Sequence, residues 1–87
     1  MALMRIAPVE ARVSWDRAHA RPGSVRWGGH AVGVVGLAGV RDERAAYPRD
    51  RGPRITYLLH TADGGRASIV YDELRRRWYV EAIDSAA

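Results

Sequence analysis

The sequence predicts an all-β domain, and three of its features support that prediction. Several short runs alternate apolar and polar residues with a period of two, which is typical of strands that bury one face. Breaks rich in glycine and proline separate these runs at short intervals. No stretch keeps a helical period over three turns, so residues 72–77 are expected to form one helical turn at most.

The chain has 87 residues, which predicts one small domain over residues 1–87, with loose termini at 1–7 and 85–87. It has no cysteine, so neither disulfides nor thiolate metal sites can stabilise it, and this composition suits a reducing compartment. The first residues do not form an apolar segment that ends in a small-residue cleavage site. The apolar run at 31–40 is too short to span a bilayer. We therefore expect a cytoplasmic protein with no membrane partner.

The first strand is predicted at residues 8–16, where apolar and polar side chains alternate cleanly. The apolar side chains share one face: Val9, Ala11, Val13 and Trp15. The polar side chains share the other face: Glu10, Arg12, Ser14 and Asp16. The next stretch, 17–23, ends in Pro22-Gly23, which is typical of a turn.

A β-hairpin is predicted around Gly28-Gly29, because extended runs at 24–27 and from Ala31 flank this pair. The run AVGVVGLAGV has a glycine at every third position, and each would cost a helix about 1 kcal/mol relative to alanine. In a strand, such glycines mark bends, bulges or close crossings. We expect one long, bent strand from Ala31 to about Arg44.

The second half of the chain predicts three more strands. The charged loop 44–53 contains two prolines and is expected to be exposed. A strand from Arg54 ends in Asp63-Gly64-Gly65, a strong hairpin signal, and its partner is 66–72. Residues 73–76 form a loop before the last strand, 77–84. The fold predicted is all-β, with about six antiparallel strands in a small curved sheet or an SH3-like barrel, and with Trp15, Trp27 and Trp78 in its core.

The charge of the chain favours an anionic partner. All fourteen basic residues are arginine, the net charge is +4 and the pI is about 10.3. Guanidinium groups match phosphates and carboxylates and stack on aromatic rings. A small basic domain attracts polyanions such as nucleic acid.

Two groups of residues are the candidate contacts for nucleic acid or a partner. The first group surrounds the loop 44–53 and comprises Arg41, Arg44, Tyr47, Arg49, Arg51 and Arg54. The second group forms a corner after Asp72 and comprises Arg75, Arg76, Arg77 and Tyr79. An arginine can hold a phosphate while a neighbouring tyrosine stacks on a base. The alternative is that both groups are solvated surfaces whose charge is offset by nearby carboxylates.

No pattern in the sequence is typical of an enzyme or of a bound cofactor. His19, His30 and His60 are scattered, and none has a partner at metal-ligand spacing. The serines lie in no G-x-S-x-G elbow, and the glycines fit neither dinucleotide-binding nor phosphate-binding loops. We expect a non-catalytic protein without a metal or cofactor.

Two functions remain open on these residues. The chain can be a binding module that contacts nucleic acid, or a DNA-processing enzyme, through its arginine and tyrosine side chains. It can instead be a protein-interaction or homodimerising module that uses an exposed sheet edge and has no nucleic-acid role.

The order of landmarks adds a resemblance. The chain carries, in order, PVEAR, RPGSVRWGGHAVGVVGL and ITYLLHTADGGRASIVYDELRRRWYVEAID. This order resembles a family of small, uncharacterised all-β bacterial domains that are common in actinobacteria, and it covers nearly the whole chain. The matching positions are Trp27, Gly28, Gly64, Tyr71, Asp72, Trp78 and Asp84.

The chain departs from that family pattern in two places. Gly29-His30 stands where the family usually has an arginine in its W-x-G-R turn, and Tyr47 stands where it usually has paired tryptophans. Members of the family sometimes accompany Y-family lesion-bypass polymerases. The resemblance therefore implies a role beside nucleic acid or such a polymerase.

Overall fold

The computed structural model describes residues 3–45 and 52–84, and those residues form six strands and no helix. The strands are β1 (Met4–Asp16), β2 (Arg21–Trp27), β3 (His30–Asp42), β4 (Arg54–Thr61), β5 (Arg66–Asp72) and β6 (Arg77–Asp84). Each strand is antiparallel to the next, and β6 pairs with β1 to close a barrel. The predicted all-β fold of about six antiparallel strands is confirmed, and the barrel is consistent with an SH3-like one.

The barrel closes because β1 and β3, of 13 residues each, both belong to two sheets. The first part of β1 pairs with β6, and its last part, from Arg12 onward, pairs with β2. In the same way, β3 pairs with β2 up to Gly33 and with β4 from Val34 onward. A strand can serve two sheets of a small barrel only if it bends between them.

Glycines mark the bends of β3, as the sequence predicts. The register with β4 shifts between Val34 and Gly36, and again between Leu37 and Gly39. A bulge leaves one residue unpaired and increases the local bend and twist of the strand. The long strand predicted from Ala31 is therefore confirmed, although it ends at Asp42 rather than at about Arg44.

The core lies inside the barrel, and each of the six strands contributes a side chain to it. Its buried cluster comprises Ala11, Val25, Val34, Leu59, Ile69 and Val80. Trp27 and Trp78 pack partly buried against this cluster, as predicted. Trp15 was expected in the core as well, and that prediction is wrong, because its side chain is 47% exposed. The register of β1 against β2 shifts just before Trp15, so the strict alternation that the prediction assumed ends there.

Two boundaries in the first half differ from those that the sequence predicts. Pro22-Gly23 was predicted as a turn but lies inside β2, where Pro22 is fully buried opposite Trp15. The chain turns at residues 17–20 instead. Residues 4–7, expected as part of a loose terminus, belong to β1 because this part of the strand pairs with β6. Backbone partners, which the alternation of side chains does not report, decide where a strand begins.

No part of the described chain forms a helix with the length and apolar character that crossing a membrane requires.

Candidate functional site

The described members of the two predicted arginine groups lie at the same end of the barrel. Arg54, the first residue of β4, is directly opposite Asp72, the last residue of β5. The turn that follows Asp72 is joined to the chain before β4, because the amide of Glu73 donates to the carbonyl of Pro53 at 2.9 Å. The structure therefore brings the described members of both groups together. The other members, Tyr47, Arg49 and Arg51, lie outside the described residues.

Asp72 stabilises the turn that precedes β6. It is only 4% exposed, and its Oδ1 accepts hydrogen bonds from the amides of Leu74 and Arg75 at 3.0 and 3.1 Å. Its Oδ2 accepts a hydrogen bond from the Arg75 guanidinium at 2.7 Å. Burial opposes the ionisation of Asp72, but the hydrogen bonds from Arg75 and Leu74 outweigh it and hold the pKa of Asp72 below its ordinary value. The carboxylate is therefore charged at neutral pH.

Most of the predicted contact arginines that the structure describes have a carboxylate partner. The pairs are Arg44–Asp42 at 2.7 Å, Arg54–Glu81 at 3.7 Å, Arg75–Asp72 at 2.7 Å and Arg77–Glu10 at 2.8 Å. The hydrogen bond between Arg44 and Asp42 lowers the pKa of Asp42 and raises the pKa of Arg44. Exposed pairs of this kind add little to stability. They do offset positive charge where the sequence predicted an anion-binding surface.

The remaining predicted contacts are Arg41, Arg76 and Tyr79. Arg41 and Arg76 are exposed, and within the described part of the chain neither makes an ion pair. Arg76 ends the turn before β6 with a φ of 54°. Tyr79 is half-buried and lies opposite Glu10, the residue that accepts the Arg77 hydrogen bond. Arg77 and Tyr79 thus share one face of β6, as predicted.

The surplus of positive charge lies elsewhere, on the hairpin formed by β1 and β2. Between Met4 and Trp27 the chain has five arginines and two carboxylates. One carboxylate, Glu10, is bound by Arg77. The other, Asp16, accepts hydrogen bonds from the turn that joins the two strands. The arginines of the hairpin therefore greatly outnumber the carboxylates that could offset them.

Arg12 and Arg26 form the centre of this positive surface, which we name the hairpin arginine pair. They are directly opposite each other on β1 and β2, and both are exposed. Directly opposed residues of antiparallel strands have Cβ atoms about 4.5–5.5 Å apart, and like charges there repel each other. Among the described residues, no carboxylate forms an ion pair with either guanidinium. The geometry leaves two adjacent cations that an anion could bridge.

A shallow groove of about 450 Å³ runs beside the hairpin arginine pair. Its lining also includes Glu10, Trp27, the Gly28-Gly29 turn and His30. The rings of Trp27 and His30 are stacked, with centroids 5.4 Å apart and an interplanar angle of 28°. A Cβ at Gly29 would meet no atom within 4 Å, so the turn leaves the rim of the groove open. Two guanidinium groups and an aromatic stack therefore border one groove.

A second groove, of about 600 Å³, is lined by residues from β1 and from β3 to β6. It contains the predicted contacts Arg41 and Arg54, but Glu43 and Glu81 line it as well. The Arg54 guanidinium is paired with Glu81. Arg5 also lines this second groove, so its three arginines and two glutamates give the same formal charge, +1, as the two arginines and one glutamate of the first groove. The first groove differs in that its two guanidinium groups are directly opposed and neither has an ion-pair partner among the described residues.

Sequence reasoning did not include Arg12 and Arg26 among the candidate contacts. The alternation in 8–16 did place Arg12 on the polar face of its strand. Their direct opposition depends on the register of β1 against β2, and a slip by one residue would turn one of them toward the core. Local sequence patterns do not determine the register of β1 against β2.

Among the residues that the structure describes, no three His, Asp or Glu side chains are grouped so as to hold a metal ion. His19 is hydrogen-bonded to Asp16 at 2.8 Å in the exposed turn after β1. This hydrogen bond lowers the pKa of Asp16.

No protein-family model, curated protein or solved structure matches this chain. Fold and site therefore define it as a small all-β barrel with an arginine-lined groove. The resemblance to the actinobacterial domain family stays a prediction.

Proposed function

We propose that this protein is a non-catalytic binding module that contacts nucleic acid, alone or beside a nucleic-acid-processing enzyme. One observation carries the proposal: Arg12 and Arg26 are opposed, exposed and without an ion-pair partner among the described residues. Two like charges in this position weaken the hairpin. A phosphate bound between them offsets that repulsion and matches the forked geometry of both guanidinium groups.

The overall charge supports the same proposal. A net charge of +4, supplied by arginine alone, attracts a polyanion from a distance and accelerates its encounter. Nucleic acid presents regularly spaced phosphates, so a small module can bind it by contacting only a few. On this proposal the protein resides in the cytoplasm.

Fluorescence anisotropy at low salt tests the proposal, with labelled single-stranded and double-stranded oligonucleotides of about 12 units, a length within the site size of small β-barrel binders. We expect micromolar binding that weakens as salt is added, since each neutralised phosphate releases counterions. No binding of either oligonucleotide at tens of micromolar protein would reject the proposal.

A matched pair of variants locates the contact surface. Arg12→Ala with Arg26→Ala removes the hairpin arginine pair, and Arg41→Ala with Arg76→Ala removes the same charge from the predicted loop and corner groups. We expect the first double variant to weaken binding roughly tenfold more than the second, because only the first removes opposed guanidinium groups. A larger loss in the second would assign the contact to the groups that the sequence predicted.

A second candidate function, homodimerisation through a sheet edge, is favoured by one feature of β3. From Val35 onward this strand pairs with β4 but not with β2, so one of its edges has no strand partner among the described residues. Val35, Leu37 and Val40 are 63%, 40% and 51% exposed along the same stretch. Apolar side chains on an unpaired edge are typical of a surface that adds a strand.

Sedimentation velocity over a wide concentration range tests this second candidate. We expect a dimer that Val35→Lys converts to a monomer, because a charge on the edge opposes strand addition. A wild-type protein that stays monomeric at high micromolar concentration would exclude it.

A further inference from the structure

We infer that the groove beside the hairpin arginine pair takes single-stranded nucleic acid in preference to a duplex. A backbone phosphate lies between Arg12 and Arg26, and a neighbouring base stacks on the ring of His30. This inference rests on the proposed function and specifies its ligand class. It follows from three features of the groove: the supported ring, the placement of the guanidinium groups and the absence of bulky side chains at the rim.

The first feature is the stack of Trp27 and His30. Trp27 packs partly buried against the core, and the His30 ring lies on it nearly parallel. His30 itself is exposed, so its face away from Trp27 meets solvent. A base can stack on such a face only when its own faces are free, and in a duplex neighbouring base pairs cover them. A ring already held by a core tryptophan loses little freedom when a base binds.

The second feature is that the cations and the ring border the same groove. Arg26 immediately precedes Trp27, and Trp27 is directly opposite His30 across the turn. Arg12 lies beside Arg26 on the neighbouring strand. Arg26 and Trp27 are consecutive in a strand, so their side chains leave opposite faces of β2. Both arginines and both aromatic residues nevertheless line one groove, and phosphate-binding groups beside a stacking platform are the combination that proteins use for single strands.

The third feature is the open rim of the groove. Ala31, opposite Arg26, is small, and the Gly28-Gly29 turn has no side chains. Gly28 adopts a φ of 54°, a conformation that favours glycine and keeps this turn free of a Cβ. The one carboxylate in the lining, Glu10, is bound by Arg77 at 2.8 Å, so its repulsion of a phosphate is offset. A flexible strand can therefore approach both the cations and the ring.

The test compares the affinities of wild type, His30→Ala and a matched control, His60→Ala, for one single strand and its duplex. His60 is exposed on β4 and does not line the groove. We expect His30→Ala to weaken single-strand binding about fivefold or more, as loss of one stacked base does, and His60→Ala to leave it unchanged. Duplex affinity is expected to be lower than single-strand affinity and to be the same in all three proteins.

Two further readouts separate stacking from charge. His30→Ala should leave the salt dependence of single-strand binding unchanged, whereas Arg12→Ala with Arg26→Ala should reduce its slope by about 0.7, the contribution of the one phosphate held between them. A strand with abasic sites should bind wild type as weakly as the unmodified strand binds His30→Ala. Circular dichroism of each variant verifies that the barrel is folded.

The outcomes distinguish this inference from the proposed function. Binding of neither oligonucleotide overturns both. Duplex binding as tight as single-strand binding, or equal losses in His30→Ala and His60→Ala, overturns the inference and leaves the proposed function standing.

Discussion

Gly52 is needed where it stands for two reasons that act together. It has a φ of 84°, a region in which a side chain is strained, and a Cβ there would lie 2.8 Å from Oδ1 of Asp72. The backbone of the chain entering β4 thus lies directly against the buried carboxylate that holds the turn before β6. A single residue without a side chain lets two segments far apart in sequence meet.

We expect Gly52→Ala to lower the free energy of unfolding by more than about 1 kcal/mol, since a left-handed backbone costs an alanine roughly 1–2 kcal/mol before any clash is counted. Urea unfolding followed by circular dichroism measures the loss. Gly39→Ala is the matched control, because a Cβ there would meet no atom within 4 Å and the residue has no positive φ. Equal losses in the two variants would contradict the role of the close approach.

Asp72 makes the stability of the protein depend on pH. Its pKa lies below the value of about 3.9 that an aspartate has in an unfolded chain. The folded state therefore binds the proton less readily than the unfolded state, and the carboxylate stabilises the fold above about pH 4. This contribution is lost as the pH falls through the lowered pKa.

At neutral pH we expect Asp72→Asn to lower the free energy of unfolding by about 1–3 kcal/mol, because the hydrogen bonds lose their charge. The difference from wild type should shrink below about pH 4, as Asp72 takes up a proton first in the unfolded state and, at still lower pH, in the folded state. Unfolding titrations at neutral pH and below about pH 4 measure this difference in the free energy of unfolding. Glu73→Gln, an exposed neighbour, is the control and should change stability little. A deficit that persists unchanged in acid would contradict the assignment.

The β1–β2 hairpin presents a conflict between stability and charge. Its strands place Arg12 against Arg26, although an acidic residue at either position would give an attractive pair. Elements that keep an unfavourable pair are expected to use it for something other than stability. The arginine pair that is proposed to contact nucleic acid should therefore lower the stability of the free protein by a measurable amount.

Arg12→Glu should raise the free energy of unfolding by about 0.2–1 kcal/mol, since it converts repulsion across the strands into attraction. The same variant should lose nucleic-acid binding. Thermal unfolding and anisotropy on one preparation measure both effects. Arg17→Glu makes the same change of charge in the exposed turn and should leave the melting temperature almost unchanged. A lower melting temperature for Arg12→Glu would show that the two arginines do not repel.

The stability of the barrel as a whole depends on a small set of side chains in one core cluster. Leu59, Ile69, Val25 and Val80 are fully buried, and each lies on a different strand. A domain of this size buries little surface in total, so each of these core side chains contributes a large share of the stability. Loss of one of these side chains weakens the packing of several strands.

We expect Leu59→Ala to lower the free energy of unfolding by about 2–5 kcal/mol, through lost burial and the cavity left behind. That is a large part of the roughly 5–15 kcal/mol typical of a folded domain. Leu74→Ala is the control, because the Leu74 side chain is 52% exposed in the turn before β6. This variant should lower the free energy of unfolding by less than about 0.5 kcal/mol. Chemical unfolding of the two variants measures both changes. Similar losses of the free energy of unfolding would show that Leu59 does not lie in the core.

Sequence alone determined the number of strands, most of their bounds and two of the hairpins. Gly28 and Gly64 have φ values of 54° and 86°, as the turns predicted at these glycines require, because the preference of glycine for such values is local. The basic character of the chain and its β3 bulges follow from composition and spacing in the same way.

Tertiary structure alone decided which carboxylates the arginines of the described residues meet. It placed Arg12 beside Arg26, bound Arg77 to Glu10 and buried Asp72 against Gly52. These contacts join residues on different strands, and their geometry depends on the register and closure of the barrel. A periodic pattern reports which way a side chain points, but the neighbour it meets is set by backbone pairing between distant parts of the chain.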